Sequence, residues 1–502
     1  MKKPNDSDQS AQADFALRSP RFQSLGDPPI TSSPARADVK PTVTLSLAAN
    51  DLLLFPAQGS TPEDLHHQLQ TAGWQGRVVH DQRRKCLRAL PIDYLSICAA
   101  LRPNFTLQKT FELRPPLPHE IEVKLQPRPY QTEALQAWKA ARGRGVVVLP
   151  TGAGKTLVAM LAMAALNTHT LICVPTLDLL GQWRASLLAN TNLTEDEVGT
   201  WGGGDKDLKP VTVITYDSAA IHGRILSQFG LLVFDEVHHL PADTYRTVAE
   251  GAIATTRLGL SATPERSDLR HTDLDRLVGP VVYERMPAQL REGRHIADYR
   301  TEQISVTLTA DERVRYERAA EVYRAYLRKH RISMRSGSDY ERLLIWRSGN
   351  DPAAREALLA HQAARKLALS ASGKLDVVAN LLGRHKADRV LIFSEYNSLV
   401  DTIGRQFCLP TVTHKTPPAE RKAILDGFRS GRFSKLATGR VLNEGVDLPD
   451  ANVAIILSGS ATKRELIQRL GRVLRPKQTE AVLYEVVTEE TTEENISRRR
   501  QT

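Results

Sequence analysis

Cysteine is scarce in this chain. Four are present in 502 residues (Cys86, Cys98, Cys173 and Cys408), and none stands in CxxC spacing with another. That excludes a disulfide framework and a cysteine-held zinc site, and it points to a reducing compartment. No apolar stretch is long enough to span a bilayer, and no signal-peptide core is found. The expected location is the cytoplasm, in association with the nucleoid. No amphipathic basic helix stands out, so the net charge of +10 reads as attraction to nucleic acid rather than to a membrane. What remains is an ordinary soluble composition, 41% hydrophobic and 25% charged. The length predicts about three or four domains.

Against that plain background one stretch is chemically specific: Val146 to Thr156, VVVLPTGAGKT. Its apolar start predicts a buried strand, its middle a turn of small residues, and AMLAMAAL downstream a helix. A strand, a glycine loop and a helix opening on Gly154-Lys155-Thr156 make a phosphate cradle. Backbone N–H groups converge there and the helix start adds positive potential. Thr151, Gly152 and Gly154 line it, Lys155 reaches the β and γ phosphates, and the Thr156 hydroxyl binds Mg²⁺. Strict spacing wants a glycine where Leu149 stands, so the loop is a variant. The expected ligand is a nucleoside triphosphate.

Along the chain, residues 1–41 are rich in Ser, Asp, Gln, Pro and Ala and are expected to be disordered. Residues 42–112 alternate strand-like runs (TVTLSLA, DLLLFPA, GRVVHD, KCLRALP) with helical PEDLHHQLQTAG and ICAALR, predicting a small α+β domain. Its histidines, His66, His67 and His80, lack an accompanying Cys or carboxylate cluster and are not read as metal ligands. Residues 113–120, LRPPLPHE, form a proline-rich linker. From 121 to 300 strands and helices alternate, which implies a parallel sheet with ligand groups at the carboxyl ends of its strands. Four strands run into polar turns there, at Pro175-Thr176-Leu177, Tyr216-Asp217-Ser218, Val237-His238-His239 and Thr263-Pro264. The pair Asp235-Glu236, after LLVF, is decisive: Asp235 suits Mg²⁺ and Glu236 the polarisation of an attacking water. In most proteins such a pair is a solvated turn; the phosphate loop upstream gives this one a role.

Residues 301–373 change character. DERVRYERAAEVYRAYLRKH and PAAREALLAHQAARKLALSA carry apolar residues at helical spacing among many Arg and Lys. They predict a helical insertion whose basic faces are either solvated or in contact with phosphates; Tyr323, Tyr326 and Trp346 read as packing residues. From 374 to 502 strand–helix alternation resumes as a second doubly wound unit without a phosphate loop of its own. It closes on QRLGRVLRP, Gln468 to Pro476, where Arg472 and Arg475 share a helix face. Presented across a cleft, that pair suits stabilisation of a γ-phosphate. The terminal Ser497 to Arg500 run reads as a frayed tail.

In this order the residues resemble the motif set of the superfamily 2 helicases. Arg128-Pro129-Tyr130-Gln131 is similar to the adenine-contacting segment, PTGAGKT to motif I, VPTLDLLGQW to motif Ia and ITYDSA to the next DNA-facing motif. DEVHH resembles the DExH form of motif II, LSATPER motif III, VLIFSEY motif IV, RVLNEGVDLP motif V and QRLGRVLRP motif VI. Within the superfamily the resemblance is to the XPB-like helicases in their compact archaeal-type form, and it runs from about Asp51 to Arg500.

The resemblance implies two RecA-like motor domains (121–300 and 374–502), a damage-recognition domain at 42–112 and a DNA-gripping thumb at 301–373. It implies ATP and Mg²⁺ between the lobes, 3′→5′ movement on DNA, its opening during nucleotide excision repair, and a partner nuclease. Lys155, Asp235, Glu236, Gln468, Arg472 and Arg475 take the catalytic positions. Arg128, Gln131, Thr151, Gly152, Gly154, Thr156, Gly445 and Asp447 join Lys155 around the nucleotide, and Thr156 and Asp235 hold the metal. Thr176, Tyr216, Arg266 and Asp268 face DNA, through contacts that are largely sequence-independent and salt-sensitive. The family's Arg-Glu-Asp element reads Arg266-Ser267-Asp268 here, without the central carboxylate. That keeps a second reading open, a duplex translocase or ATP-driven DNA-opening switch without processive unwinding. A nuclease-recruiting scaffold and an RNA helicase are the remaining rivals.

Overall fold

The computed structural model describes residues 40–150, 152–262, 270–285, 289, 299–332, 345–439, 451–458, 481–494 and 497. Most of the expected tail, Thr151, Thr263-Pro264, Arg266 to Asp268, Gly445, Asp447 and the stretch Gln468 to Pro476 lie outside them.

The strand-like runs after residue 41 are strands. β1 (Thr42–Ala48), β2 (Asp51–Phe55), β3 (Val78–Asp81), β4 (Cys86–Ala89) and β5 (Thr106–Lys109) form one sheet in the order β3-β4-β2-β1-β5. Helix α1 (Pro62–Thr71) opens on a capping box: the Asp64 N–H donates to the Thr61 hydroxyl, and the Thr61 N–H donates to the Asp64 carboxylate at 2.8 Å. Leu65 and Leu69 of α1, with Ile97 and Leu101 of α2 (Tyr94–Leu101), pack on Val43, Leu45 and Leu52 of the sheet. This small core continues into the next unit. Ile253 belongs to it, Ile92 packs into the neighbouring core, and Arg276 lies 3.6 Å from Asp93. The proline-rich linker is stitched down as well. The Pro115 carbonyl accepts from the Thr168 hydroxyl at 2.7 Å and the His169 N–H at 2.9 Å, and the Leu117 N–H donates to the Asn167 carbonyl.

The second sheet comprises β6 (Arg144–Val148), β7 (Thr170–Val174), β8 (Val198–Gly202), β9 (Asp205–Lys206), β10 (Val211–Thr215), β11 (Leu231–Asp235), β12 (Thr256–Ser261) and β13 (Val281–Glu284). Their order is β13-β6-β12-β11-β7-β10-β8-β9, parallel throughout except for the short β9. The strands are continuous apolar runs because both faces are covered. Val147, Ile172 and Val233 feed one layer, shared with α3 (Pro129–Ala140), α4 (Lys155–Leu166) and α5 (Leu177–Asn190), while Val146, Cys173 and Phe234 feed the other. At the amino end of β12 the buried Arg257 guanidinium donates to the carbonyls of Ala252, Ala254 and Leu277 at 2.6–3.0 Å, so its charge is met by backbone dipoles.

The third sheet holds β14 (Tyr299–Val306), β15 (Val390–Phe393), β16 (Thr411–Val412), β17 (Lys435–Thr438), β18 (Val453–Ile456) and β19 (Ala481–Thr488). All its pairs are parallel, in the order β14-β19-β18-β15-β17-β16. Here the structure departs from the sequence reading. Residues 301–306, expected in the helical insertion, belong to β14, which pairs with β19 from Tyr299↔Ala481 to Val306↔Thr488. The helical segment begins at Ala310, where Thr309 and Glu312 form a second capping box, and its long helices Ala310–Lys329 and Pro352–Leu369 meet through Tyr326, Ala354 and Ala357. Beneath this sheet lies a wholly buried ion pair: Lys374 Nζ donates to both Glu493 carboxylate oxygens, at 2.9 and 2.7 Å. The Leu457 and Val486 carbonyls take its other bonds, and the Thr488 N–H donates to Glu493.

Candidate active site

The chain leaves β6 at Val148 and turns over the carboxyl edge of the second sheet. Its turn starts from a fixed point, because the Leu149 N–H donates to the Ser261 carbonyl at the end of β12 (3.0 Å). Gly152 (φ 79°) and Gly154 (φ 75°) both adopt the left-handed region that glycine enters without penalty. Helix α4 then begins at Lys155, whose Nζ donates to the Leu149 carbonyl at 3.3 Å and so folds back over the loop. Thr156, half-buried, follows in the first turn.

The head of α3 braces this loop. Gln131 is 3% exposed; its Nε2 donates to the Ala153 carbonyl at 2.9 Å and its Oε1 accepts the Arg128 N–H at 2.8 Å. The Tyr130 hydroxyl donates to the same Ala153 carbonyl. Of the two residues expected beside the adenine, Gln131 therefore adjoins the phosphate loop directly, and Arg128 through its bonds to Gln131 and Tyr130. A Cβ on residue 154 would come within 2.4 Å of Gln131 Nε2. Gly154→Ala should accordingly cost about 1–3 kcal/mol and displace the loop. The expected result is a lower Tm together with weaker binding of a fluorescent ATP analogue.

Two strands away stands the carboxylate pair. The registers Val148↔Ser261 and Leu260↔Asp235 place Asp235 at the height of the loop, about 10 Å across the sheet. Asp235 is 6% exposed and held from three sides. Its Oδ2 accepts the Trp183 indole N–H at 2.8 Å, its Oδ1 the Glu236 N–H at 3.0 Å, and its carbonyl the Tyr216 hydroxyl at 2.9 Å. Glu236, itself buried, takes a left-handed backbone (φ 46°), a strained position for a non-glycine residue of the kind found where function demands it. His238 Nδ1 lies 3.5 Å from Glu236 Oε2 and 3.3 Å from Ser261 Oγ, linking the carboxylate to the strand that anchors the phosphate loop. Two buried carboxyl groups at one strand end favour a divalent cation, and Asp235 together with the Thr156 hydroxyl at the head of α4 offers the hard oxygen donors that Mg²⁺ takes.

One assignment is corrected. Tyr216, expected to face DNA, lies in the core: its ring is 1% exposed and stacks on Phe234 with centroids 6.4 Å apart. Burial pushes its phenol well above the ordinary range, so it stays a hydrogen-bond donor to Asp235. Thr176 is half-buried and caps α5, accepting the Leu179 N–H at 3.3 Å, beside Leu177 at 53% exposure. Gly152, Gly154, Lys155, Thr156, Arg128, Gln131, Asp235 and Glu236 thus share one sheet edge. Trp183 and Ser261 stand inside the stretches VPTLDLLGQW and LSATPER, yet motif reading gave neither a role. A lone Trp on the buried side of the helix following Thr176 was the available signal.

The comparisons with known proteins agree with this geometry. Residues 124–266 match the family described as "Type III restriction enzyme, res subunit", and residues 373–477 the "Helicase conserved C-terminal domain". The chain is 41% identical over 381 residues to the "DNA 3'-5' translocase XPB2" of Sulfurisphaera tokodaii, covering 76% of this chain and 85% of that one. It is 33% identical to the "DNA 3'-5' helicase XPB" of Mycobacterium tuberculosis, covering 74% of this chain and 63% of that protein. The helicase domain of Pyrococcus furiosus Hef superposes with a TM-score of 0.52 at 20% identity, over 75% of this chain and 98% of that one, which shows a common fold. With a phosphate loop and an acidic pair on one sheet, a second parallel-sheet lobe, and that degree of identity over most of its length, the chain belongs to the XPB family of superfamily 2 helicases.

Proposed function

We propose that this chain hydrolyses ATP with Mg²⁺ and converts closure and opening of its two lobes into 3′→5′ movement on DNA, opening the duplex for nucleotide excision repair. One observation carries the reading: loop and carboxylates sit at one sheet edge, where Leu149 bonds to Ser261, the Ser261 hydroxyl meets His238, and His238 lies 3.5 Å from Glu236. Lys155 would hold the terminal phosphates and Thr156 with Asp235 the metal, while Glu236 would orient the attacking water and draw its proton. Mg²⁺ held there would supply positive charge to offset that of the phosphate oxygens. From the second lobe, Gln468, Arg472 and Arg475 are assigned to the γ-phosphate, and Gly445 and Asp447 to the link between nucleotide and lobe position, on the family's motif order. Thr176, Arg266 and Asp268 are assigned to DNA on the same ground, and a repair nuclease is the proposed partner. A described contact between the lobes already sits near Thr176, where Arg421 donates to Asp178 at 3.2 Å.

The test is ATP turnover measured in parallel with single-stranded DNA, duplex, forked DNA and RNA of equal length. We expect stimulation by DNA, strongest with the fork; turnover indifferent to all four would overturn the reading. Ser267 favours a second version, translocation along duplex without processive unwinding. Strand displacement compared with triplex displacement separates the two, and efficient unwinding of long duplex removes the second.

A further inference from the structure

We propose that Trp183 is a positioning residue for the metal-binding carboxylate and the link by which helix α5 reports to it. Its indole carries a single donor and no acceptor, and that donor lies 2.8 Å from Asp235 Oδ2. Trp183 is 2% exposed, so water does not compete for the bond. A hydrogen bond to a buried carboxylate is among the stronger kinds. With the Glu236 N–H on the other oxygen, the carboxylate plane is held from the protein side.

Helix α5 gathers three contacts of different kind. Thr176 caps its head, Asp178 in its first turn takes Arg421 of the second lobe, and Trp183 takes Asp235. Trp183 stands five positions after Asp178, about 7.5 Å along a rigid helix. A turn or slide of α5 imposed at its head therefore moves the indole that aims the carboxylate. This inference rests on the reading above, in which Asp235 holds Mg²⁺ and DNA lies at the head of α5. Coupling between two ligands must act both ways. DNA should then alter Mg²⁺ affinity, and that effect should run through Trp183.

The experiment is a Mg²⁺ titration of fluorescent ATP-analogue binding in the full chain, first without DNA. Trp183→Phe keeps an aromatic ring and removes the N–H. We expect the half-saturating Mg²⁺ concentration to rise about 10- to 100-fold, the range for loss of an outer partner of a metal ligand, with metal-free binding unchanged. Trp183→His restores a ring donor and should bring the midpoint back towards wild type, which also guards against a Phe variant that folds poorly. Leu187→Ala, fully buried on the same helix, controls for stability: it should lower Tm and leave the midpoint alone. A Trp183→Phe midpoint equal to wild type, with only Tm lowered, overturns the proposal. With DNA added, the wild-type midpoint should shift and the Trp183→Phe midpoint should not; equal shifts in both overturn the link through α5. A DNA-insensitive wild type refutes the DNA reading itself, and the DNA-free titration still decides whether Trp183 positions Asp235.

Discussion

Lys155→Ala and Glu236→Gln should each lower ATP turnover by at least about 10²–10³-fold, the scale on which loss of one preorganised charge-stabilising group is felt. Neither should unfold the chain. The Lys155 ammonium donates to the Leu149 carbonyl at 3.3 Å, a long neutral-acceptor bond, so truncation removes about 1 kcal/mol of stability. Gln keeps the size of Glu236 and its left-handed backbone while removing the charge that draws a proton from water. Turnover, Tm and DNA binding measured on the same preparations check this. Turnover near wild type in either variant, with DNA still bound, would remove the motor assignment, whereas a turnover-dead variant that fully restores repair in cells would favour the nuclease-recruiting scaffold.

The second large effect is on stability. Glu493→Ala leaves the Lys374 ammonium, fully buried, without its carboxylate partner. Breaking a buried pair from one side costs about 3–5 kcal/mol. For a lobe of this size that lowers the transition temperature by about 6–20 °C. Replacing both residues with apolar ones, Lys374→Met with Glu493→Leu, should recover most of the loss, because no charge is then stranded. Calorimetry of the three variants reads this directly. An unchanged transition in Glu493→Ala would mean that water reaches the ammonium, contrary to the burial of both partners.

The two lobes, and the loop and acidic pair at one sheet edge of the first, were legible because they rest on local patterns. An unbroken apolar run ending in a small-residue turn can be read without knowing what it packs on, and so can LLVF ending in Asp235-Glu236. What escaped depends on contacts distant in sequence. β14 alternates Ile304 and Val306 with Gln303 and Ser305 over a few residues only, and highly charged helical sequence follows at once, so its true partner, β19, is invisible from that stretch. The Lys374–Glu493 pair spans 119 residues and the Trp183–Asp235 bond 52. Tyr216 misled for a related reason. Its motif faces DNA in the resemblance, yet an aromatic ring at a strand end turns inward when a buried carbonyl such as that of Asp235 needs a donor.

The stitching of residues 115–117 to residues 167–169 has a mechanical corollary. A module hung on eight loose residues would sweep a sphere and probe its surroundings by diffusion. One whose stem is bonded to the root of β7, and whose Ile92 is seated in the neighbouring core, travels as a fixed outrigger of its lobe. Any substrate it touches is therefore presented at a set distance and angle from the phosphate loop, and reorientation falls to the joint with the other lobe.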